Sequence, residues 1–436
     1  MTATKKITRI IYPLLIAAVF LMGAYWRFHD LDAIKGYYFD EVYHVPTAKL
    51  IAVSDPRAYE WTHGELKDEI QTGTSIDWLH PPLAKLMQAT SILFFGENEF
   101  GWRFASALMG TLLLPLVFLL TRVVCPDHKW AALLAMGLAA VDGLAIAQSR
   151  IAMNDIFVTF FMVSGVLAYL MFLREKRRRR WLVILALVCG CALASKWSGV
   201  FLLGFIGFWE LATQRRRANW SWKSGMAFLV FLGTVSISIY LLSYFQLFAN
   251  HGFKHFLELN KQITRYQTGL DATHPYSSRA WEWPLGLKPV YLHVDPETGQ
   301  QVWNRPFYPT WFLAVAGVAG SVAAIFVVPV LQARRKKRLR KKAHPLQITQ
   351  QSDDLLYITT AYFFFWVFWC FSPRLMFFHH YLPASALLWV ITPLLLTVIR
   401  DYYMQLSTEK NAVIKKDATS KKPKKPKSRF VTQKRS

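Results

Sequence analysis

Ten apolar runs separated by short clusters of lysine and arginine leave this chain few ways to fold. The runs lie at about residues 10–26, 101–124, 130–148, 153–173, 181–195, 199–213, 224–248, 308–333, 354–372 and 378–400. Most are long enough to cross a bilayer as helices, the only local structure that satisfies its own backbone N–H and C=O groups in hydrocarbon. The expectation is an all-α polytopic membrane protein with about ten transmembrane helices and a large first extracytoplasmic loop carrying short helices.

The charge pattern orients those helices. The chain carries 51 Lys and Arg against 27 Asp and Glu, a net charge of +24. Thirty-two of the basic residues fall in five clusters, Lys5–Arg9, Arg174–Arg180, Arg215–Lys223, Arg334–Lys342 and Lys410–Arg435. Each flanks an apolar run, as cytoplasmic segments do, whereas a nucleic-acid surface would gather its charge on one folded face. A nucleic-acid partner is therefore not expected. Because every strongly basic loop lies on one side, an even number of crossings separates any two of them, and both termini are cytoplasmic. Between Arg180 and Arg215 this requires two segments of about fifteen residues, which at about 1.5 Å per residue fall short of a 30 Å core. Their shared turn, Ser195-Lys196-Trp197, should lie sunk below the outer surface.

The organisation that follows is a membrane domain over residues 1–400, with outward loops at 27–100 and 249–307, and a basic, disordered cytoplasmic tail at 401–436. The first run ends in bulky Tyr25, Trp26 and Arg27 rather than a small-residue cleavage site, so it reads as a retained span. Phe39–Val53 has helix-like apolar spacing suited to the membrane interface. Another helix is expected to begin at Pro81 or Pro82. Cys125, Cys189, Cys191 and Cys370 have no paired spacing in a loop and read as small buried hydrophobes.

The residues able to carry chemistry fall at the outward ends of the runs. Asp40 and Glu41 follow the first span inside an aromatic stretch, where desolvation raises a carboxyl pKa toward the range of a general base. Asp77 and His80 precede the Pro81 helix start. Arg150 and Asp155 flank the fourth span, and intramembrane carboxylates are usually paired, so Arg150 is the expected partner of Asp155. Lys196 in the sunken turn, and Arg374 with His380, have no adjacent acid and suit an anion such as a lipid-borne phosphate. Acids, deep cations and histidines at one face resemble the equipment of a transferase with a lipid-phosphate donor.

Six segments in order resemble the protein O-mannosyltransferases: Phe39-Asp40-Glu41-Val42-Tyr43-His44; His80-Pro81-Pro82-Leu83-Ala84-Lys85-Leu86; Arg150 with Asp155; Ala194-Ser195-Lys196-Trp197-Ser198-Gly199; His274-Pro275-Tyr276-Ser277-Ser278 with Trp283-Pro284-Leu285 and Lys288-Pro289-Val290; and Pro373-Arg374 with His380-Tyr381-Leu382-Pro383-Ala384. The resemblance implies a C-type glycosyltransferase fold. It also implies transfer of mannose from polyprenyl or dolichyl phosphate to Ser or Thr of a secreted or membrane protein, on the extracytoplasmic side. The 249–307 loop is too short for the MIR domain of eukaryotic members, pointing to a bacterial-type member in the cell membrane, with the endoplasmic reticulum as the eukaryotic counterpart. Lys288 stands where the family would place arginine.

On this reading Asp40 is the base of a single inverting displacement, and Glu41 orients acceptor or sugar. Arg150, Lys196 and Arg374 hold the phosphate, His380 bonds phosphate or sugar, and Asp155 holds Arg150. His44, His80 and Trp197 support the site. No cofactor is expected. A divalent metal is the weaker alternative, on the spacing of Glu41 and His44 with His379 or His380. Two rivals are a same-fold transferase acting on lipid A or a cell-envelope glycan, and a transporter, for which internal repeats would be expected.

Overall fold

The computed structural model describes residues 3–61, 76–212, 220–269, 272–294, 299–338 and 348–420. Its helices are α1 (Ala3–Phe28), α2 (Glu41–Ala52), α3 (Leu83–Phe95), α4 (Glu99–Val124), α5 (Lys129–Val141), α6 (Gly143–Ser149), α7 (Asp155–Arg174), α8 (Arg179–Ser195), α9 (Val200–Ala212), α10 (Trp222–Ser243) and α11 (Phe245–Gly269). After an antiparallel hairpin of β1 (Val290–Val294) and β2 (Gln301–Asn304) come α12 (Tyr308–Arg338), α13 (Ile348–Val367) and α14 (Leu382–Ser420). The ten expected runs all coincide with helices. Among the described residues six helices are long and apolar enough to cross a membrane, and α5 with α6 makes a seventh when the bent pair is one span. The chain is a multi-pass integral membrane protein.

The bend between α5 and α6 is 60° and was not expected from the unbroken apolar run. It falls at Asp142, whose side chain accepts a hydrogen bond from the Ala145 N–H at 2.8 Å and so caps a new helix where the old one would have continued. The helices flanking the Ser195-Lys196-Trp197 turn are short, α8 with 17 residues and α9 with 13, and Lys196 between them is buried in the protein. Gly199 permits that tight reversal, since a Cβ there would lie 2.4 Å from the Ala192 carbonyl carbon.

Helix direction separates two ends of the bundle. α7 runs from Asp155 to the Arg174–Arg180 cluster, and α8 returns from that cluster to Lys196. Twenty residues of helix put about 30 Å between these ends. α9, with its C-terminus leading to Arg215, and α14 likewise run from the site end toward basic sequence. At the basic end, Glu210 is fully buried and accepts hydrogen bonds from Arg177 and Tyr169, at 2.7 and 2.8 Å. Arg174 pairs with Asp354 at 2.6 Å. The main core is formed by α4, α5, α7, α8, α13 and α14, whose apolar faces pack together.

Three expectations need correction, and a fourth, the start of α3, holds to within a residue. α2 buries eight of its twelve residues against neighbouring elements, so it is packed into the protein rather than laid along an interface. α3 begins at Leu83, directly after the expected prolines. The tail is helical as far as Ser420, and the remainder of 401–436 lies outside the described residues. Cys370 is exposed rather than buried, while Cys125 and Cys189 are buried and all four thiols are free.

Candidate active site

Local backbone geometry sets up the first carboxylate. Phe39 adopts a left-handed φ of +50°, a strained conformation for an aromatic residue, and this sharp turn delivers Asp40 as the N-cap of α2. The turn is held by Arg103 of α4. Its guanidinium donates to the carbonyls of Leu31, Ile34 and Gly36 at 3.1, 2.7 and 2.9 Å, and to both oxygens of Glu41 at 2.9 and 2.8 Å. The Tyr38 and Ala152 N–H groups complete the Glu41 carboxylate, which is fully buried. Glu41 is thus the anchor of the turn and not a group free to orient a substrate, contrary to the sequence expectation. Arg103 was missed there; its only signal was a charge one turn into an otherwise apolar helix.

Asp77 is the second organising group. His44 Nδ1 and Lys85 Nζ lie 2.9 and 3.0 Å from one oxygen, and His80 Nδ1 lies 2.9 Å from the other. The His44 approach is off the line of a good hydrogen bond. Lys85 also donates to the carbonyl of His80 at 3.1 Å. Burial opposes the charged form of Asp77, but His80, Lys85 and His44 outweigh it and hold the carboxyl well below its usual range. Burial lowers His80 to about 4 against the pull of Asp77, so its imidazole is neutral at pH 7.

The third group pairs differently from expectation. Asp155 takes Lys196 Nζ on both oxygens, at 2.8 and 2.9 Å. Arg150 instead donates to the carbonyls of Trp26, His29 and Asp30 at 3.1, 2.6 and 2.8 Å. It therefore ties the end of α1 to the α6–α7 connection and is not held by Asp155. The reason is position: Asp155 opens α7 with its carboxylate on the Lys196 turn, whereas Arg150 follows α6 and reaches the carbonyls at the end of α1.

Asp40 stands apart from these tied carboxylates. It is half-buried, and among the described residues its carboxylate has neither a hydrogen-bond nor an ion-pair partner. Burial pushes it up to about 6; His44 and Lys196 pull it down, while Asp155 and Asp77 push it up. Those four neighbours place Asp40 beside the two networks just described.

Two cavities meet at Arg374 and Ser372. One, of about 300 Å³, has largely apolar walls that include Leu79, Phe201 and Trp369, together with Lys196, Trp197 and His80. The other, of about 500 Å³, carries Arg279 and Lys288. Arg374 donates from Nε to the Leu375 carbonyl at 3.3 Å, and among the described residues its terminal nitrogens have no protein partner. His380 is buried with its ring 4.7 Å from that of Trp369, its Nδ1 engaged with Phe377 and its Nε2 unpartnered. The Trp197 indole N–H donates to the Tyr240 hydroxyl at 3.1 Å.

The weaker alternative, a metal held by Glu41 and His44, is not favoured by the geometry, because Arg103 occupies both oxygens of Glu41. His44, Asp77 and His80 bring ligand atoms within 4.8 Å of one another, but the Lys85 ammonium already provides that carboxylate with a cation.

Residues 17–257 match the model of the dolichyl-phosphate-mannose-protein mannosyltransferase family, and residues 252–422 match the C-terminal four TMM region of protein-O-mannosyltransferase. The polyprenol-phosphate-mannose–protein mannosyltransferase of Mycobacterium tuberculosis is 26% identical over 281 residues, covering 50% of this chain and 53% of the relative. Its counterpart in Mycolicibacterium smegmatis is 26% identical over 330 residues, covering 60% and 63%. The chain thus spans between half and two thirds of the length of these curated relatives. The fold matches the Saccharomyces cerevisiae protein O-mannosyltransferase Pmt1-Pmt2 complex bound to the sugar donor, with TM-score 0.69 and 14% identity over 89% of this chain and 85% of that one. It also matches ArnT from Cupriavidus metallidurans bound to undecaprenyl phosphate, with TM-score 0.58 and 15% identity over 91% and 62%. With family models covering most of its length and a shared membrane-glycosyltransferase fold, this chain belongs to the dolichyl-phosphate-mannose-protein mannosyltransferase family.

Proposed function

We propose that this protein transfers mannose from a polyprenyl phosphate donor to Ser or Thr hydroxyls of secreted or membrane proteins, at the extracytoplasmic face of a bacterial cell membrane. The observation that carries the mechanism is the contrast among four carboxylates. Glu41, Asp77 and Asp155 are each neutralised by a fixed cation, while Asp40 is unengaged and raised toward neutrality. A base must be ionised yet still bind a proton well, and Asp40 meets both requirements.

In the proposed step the acceptor hydroxyl oxygen attacks C1 of the sugar and the C1–O bond to phosphate breaks. The hydroxyl proton passes to Asp40, and the bonding pair leaves with the polyprenyl phosphate. The attacking oxygen and leaving group lie on opposite faces of the ring, so configuration inverts. Phosphate needs no strong acid to depart, but it gains charge as it leaves, and preorganised cations stabilise that charge. Arg374 is best suited, since its terminal nitrogens are unspent and a guanidinium can grip two phosphate oxygens. Lys196 contributes less, because Asp155 cancels its charge. The apolar 300 Å³ cavity beside both cations suits the first isoprene units of the donor.

The test is transfer of labelled mannose from synthetic polyprenyl-phosphate-mannose to a Ser/Thr-rich peptide in membranes containing the protein. Labelled peptide with inverted linkage supports the proposal. Donor consumption that labels lipid or glycan instead of peptide transfers the protein to the rival acceptor class.

A further inference from the structure

We propose that Glu60, His251 and His255 form a second, non-catalytic site that takes a divalent transition metal of the zinc type. The three residues each offer a ligand atom, all within 4.8 Å of one another, and all are half-buried. Glu60 follows the 3₁₀ turn Pro56–Tyr59, and the histidines belong to α11, so a metal would join two outward segments that are far apart in sequence.

The orientation of the imidazoles supports ligation. His251 Nε2 lies 2.9 Å from the Pro56 carbonyl and His255 Nε2 lies 3.0 Å from the Tyr59 carbonyl. A carbonyl oxygen only accepts, so both Nε2 atoms carry a proton, and in the neutral ring that leaves the Nδ1 lone pair as the atom offered to a metal. Metal-binding histidines are typically fixed in this way, by a backbone carbonyl on the far ring nitrogen. His251 Nδ1 is 3.7 Å from Glu60 Oε1. Ligand atoms about 2.1 Å from a tetrahedral zinc lie about 3.4 Å apart, so small side-chain rotations close the site.

The backbone is shaped for the same arrangement. Gly252, with φ +76° and ψ 179°, breaks α11 between the two histidines and stacks their rings 4.2 Å apart at 16°. A side chain at that φ would be strained. Unlike Asp77, Glu60 has no Lys or Arg partner among the described residues. Two imidazoles, one carboxylate and a water would complete a four-coordinate set that clips the 3₁₀ turn to α11.

The test uses full-length protein in detergent, purified through a tag without histidine and stripped with chelator. Zinc is titrated against a chromophoric chelator, and cobalt(II) is followed by its visible absorption. One tight zinc per chain is expected, with tetrahedral cobalt bands and a rise in melting temperature. Glu60→Gln keeps both carbonyl contacts and should weaken zinc binding about 10- to 100-fold or more. His251→Gln with His255→Gln should abolish it, and His44→Ala should leave the stoichiometry unchanged. Absence of zinc binding at micromolar concentration, full binding by Glu60→Gln, or loss of the site in His44→Ala would each overturn the proposal.

Discussion

The Lys196 ammonium lies 2.8 Å from one oxygen of Asp155 and 2.9 Å from the other, with both side chains buried. Removing either partner leaves an uncompensated charge in a poorly solvated place. Lys196→Ala and Asp155→Ala should each cost about 3–5 kcal/mol, and Lys196→Met with Asp155→Leu much less than the sum of the single losses. Apparent melting temperatures in detergent measure this. Strictly additive losses would mean that the two side chains do not act as a pair.

Asp40→Asn should cut transfer by about 10²–10⁴-fold while leaving the protein folded. Because the folded-state pKa of about 6 exceeds the ordinary 3.8, ionising Asp40 destabilises the fold, and that cost is complete above pH 6. The variant should therefore melt higher than the parent at pH 7–8, by about 1 kcal/mol or more, with the difference disappearing below pH 4. In the parent, the transfer rate should fall tenfold per pH unit below about 6. A rate flat down to pH 5 removes Asp40 as the base.

Glu41→Gln tests the anchor next to it. The substitution takes the charge from the bidentate contact with Arg103, and a loss of about 3 kcal/mol or more in stability is expected. Activity should fall with the folded fraction, and specific activity per folded molecule should stay within a few-fold of the parent. Arg103→Ala should match it in stability. A large fall in kcat at unchanged melting temperature would instead return Glu41 to the chemistry.

Arg374→Ala and Arg150→Ala should separate phosphate binding from scaffolding. The first should lower kcat/KM by about 10²-fold or more, since a charge-assisted contact to the departing phosphate is lost, with little change in melting temperature. The second removes three carbonyl contacts at the end of α1, so it should lower melting temperature and alter kcat/KM only modestly. Steady-state kinetics beside thermal melts distinguish the two; reversed behaviour would exchange their roles.

The sequence by itself determined the membrane class, the helical columns and the end of the bundle where the acids, deep cations and histidines gather. Apolar length and basic clusters are local properties, and the bilayer converts them into topology by a rule that needs no knowledge of packing. The buried Lys196 turn was legible for the same reason, because parity required two helices too short to bring it to the surface. The bend at Asp142 was not, since one polar residue in an apolar run could as well point into a cavity as cap a new helix.

Charge pairing was decided by the tertiary structure alone. Asp155 has Arg150 as its near neighbour in sequence, yet bonds Lys196, forty-one residues away, and Glu41 closes on Arg103, sixty-two residues away. Which carboxylate remains unspent depends on where helices from distant parts of the chain place their cations. Asp40 and Glu41 are adjacent and chemically alike, and it is the position of Arg103 on α4 that makes one an anchor and leaves the other available to take a proton.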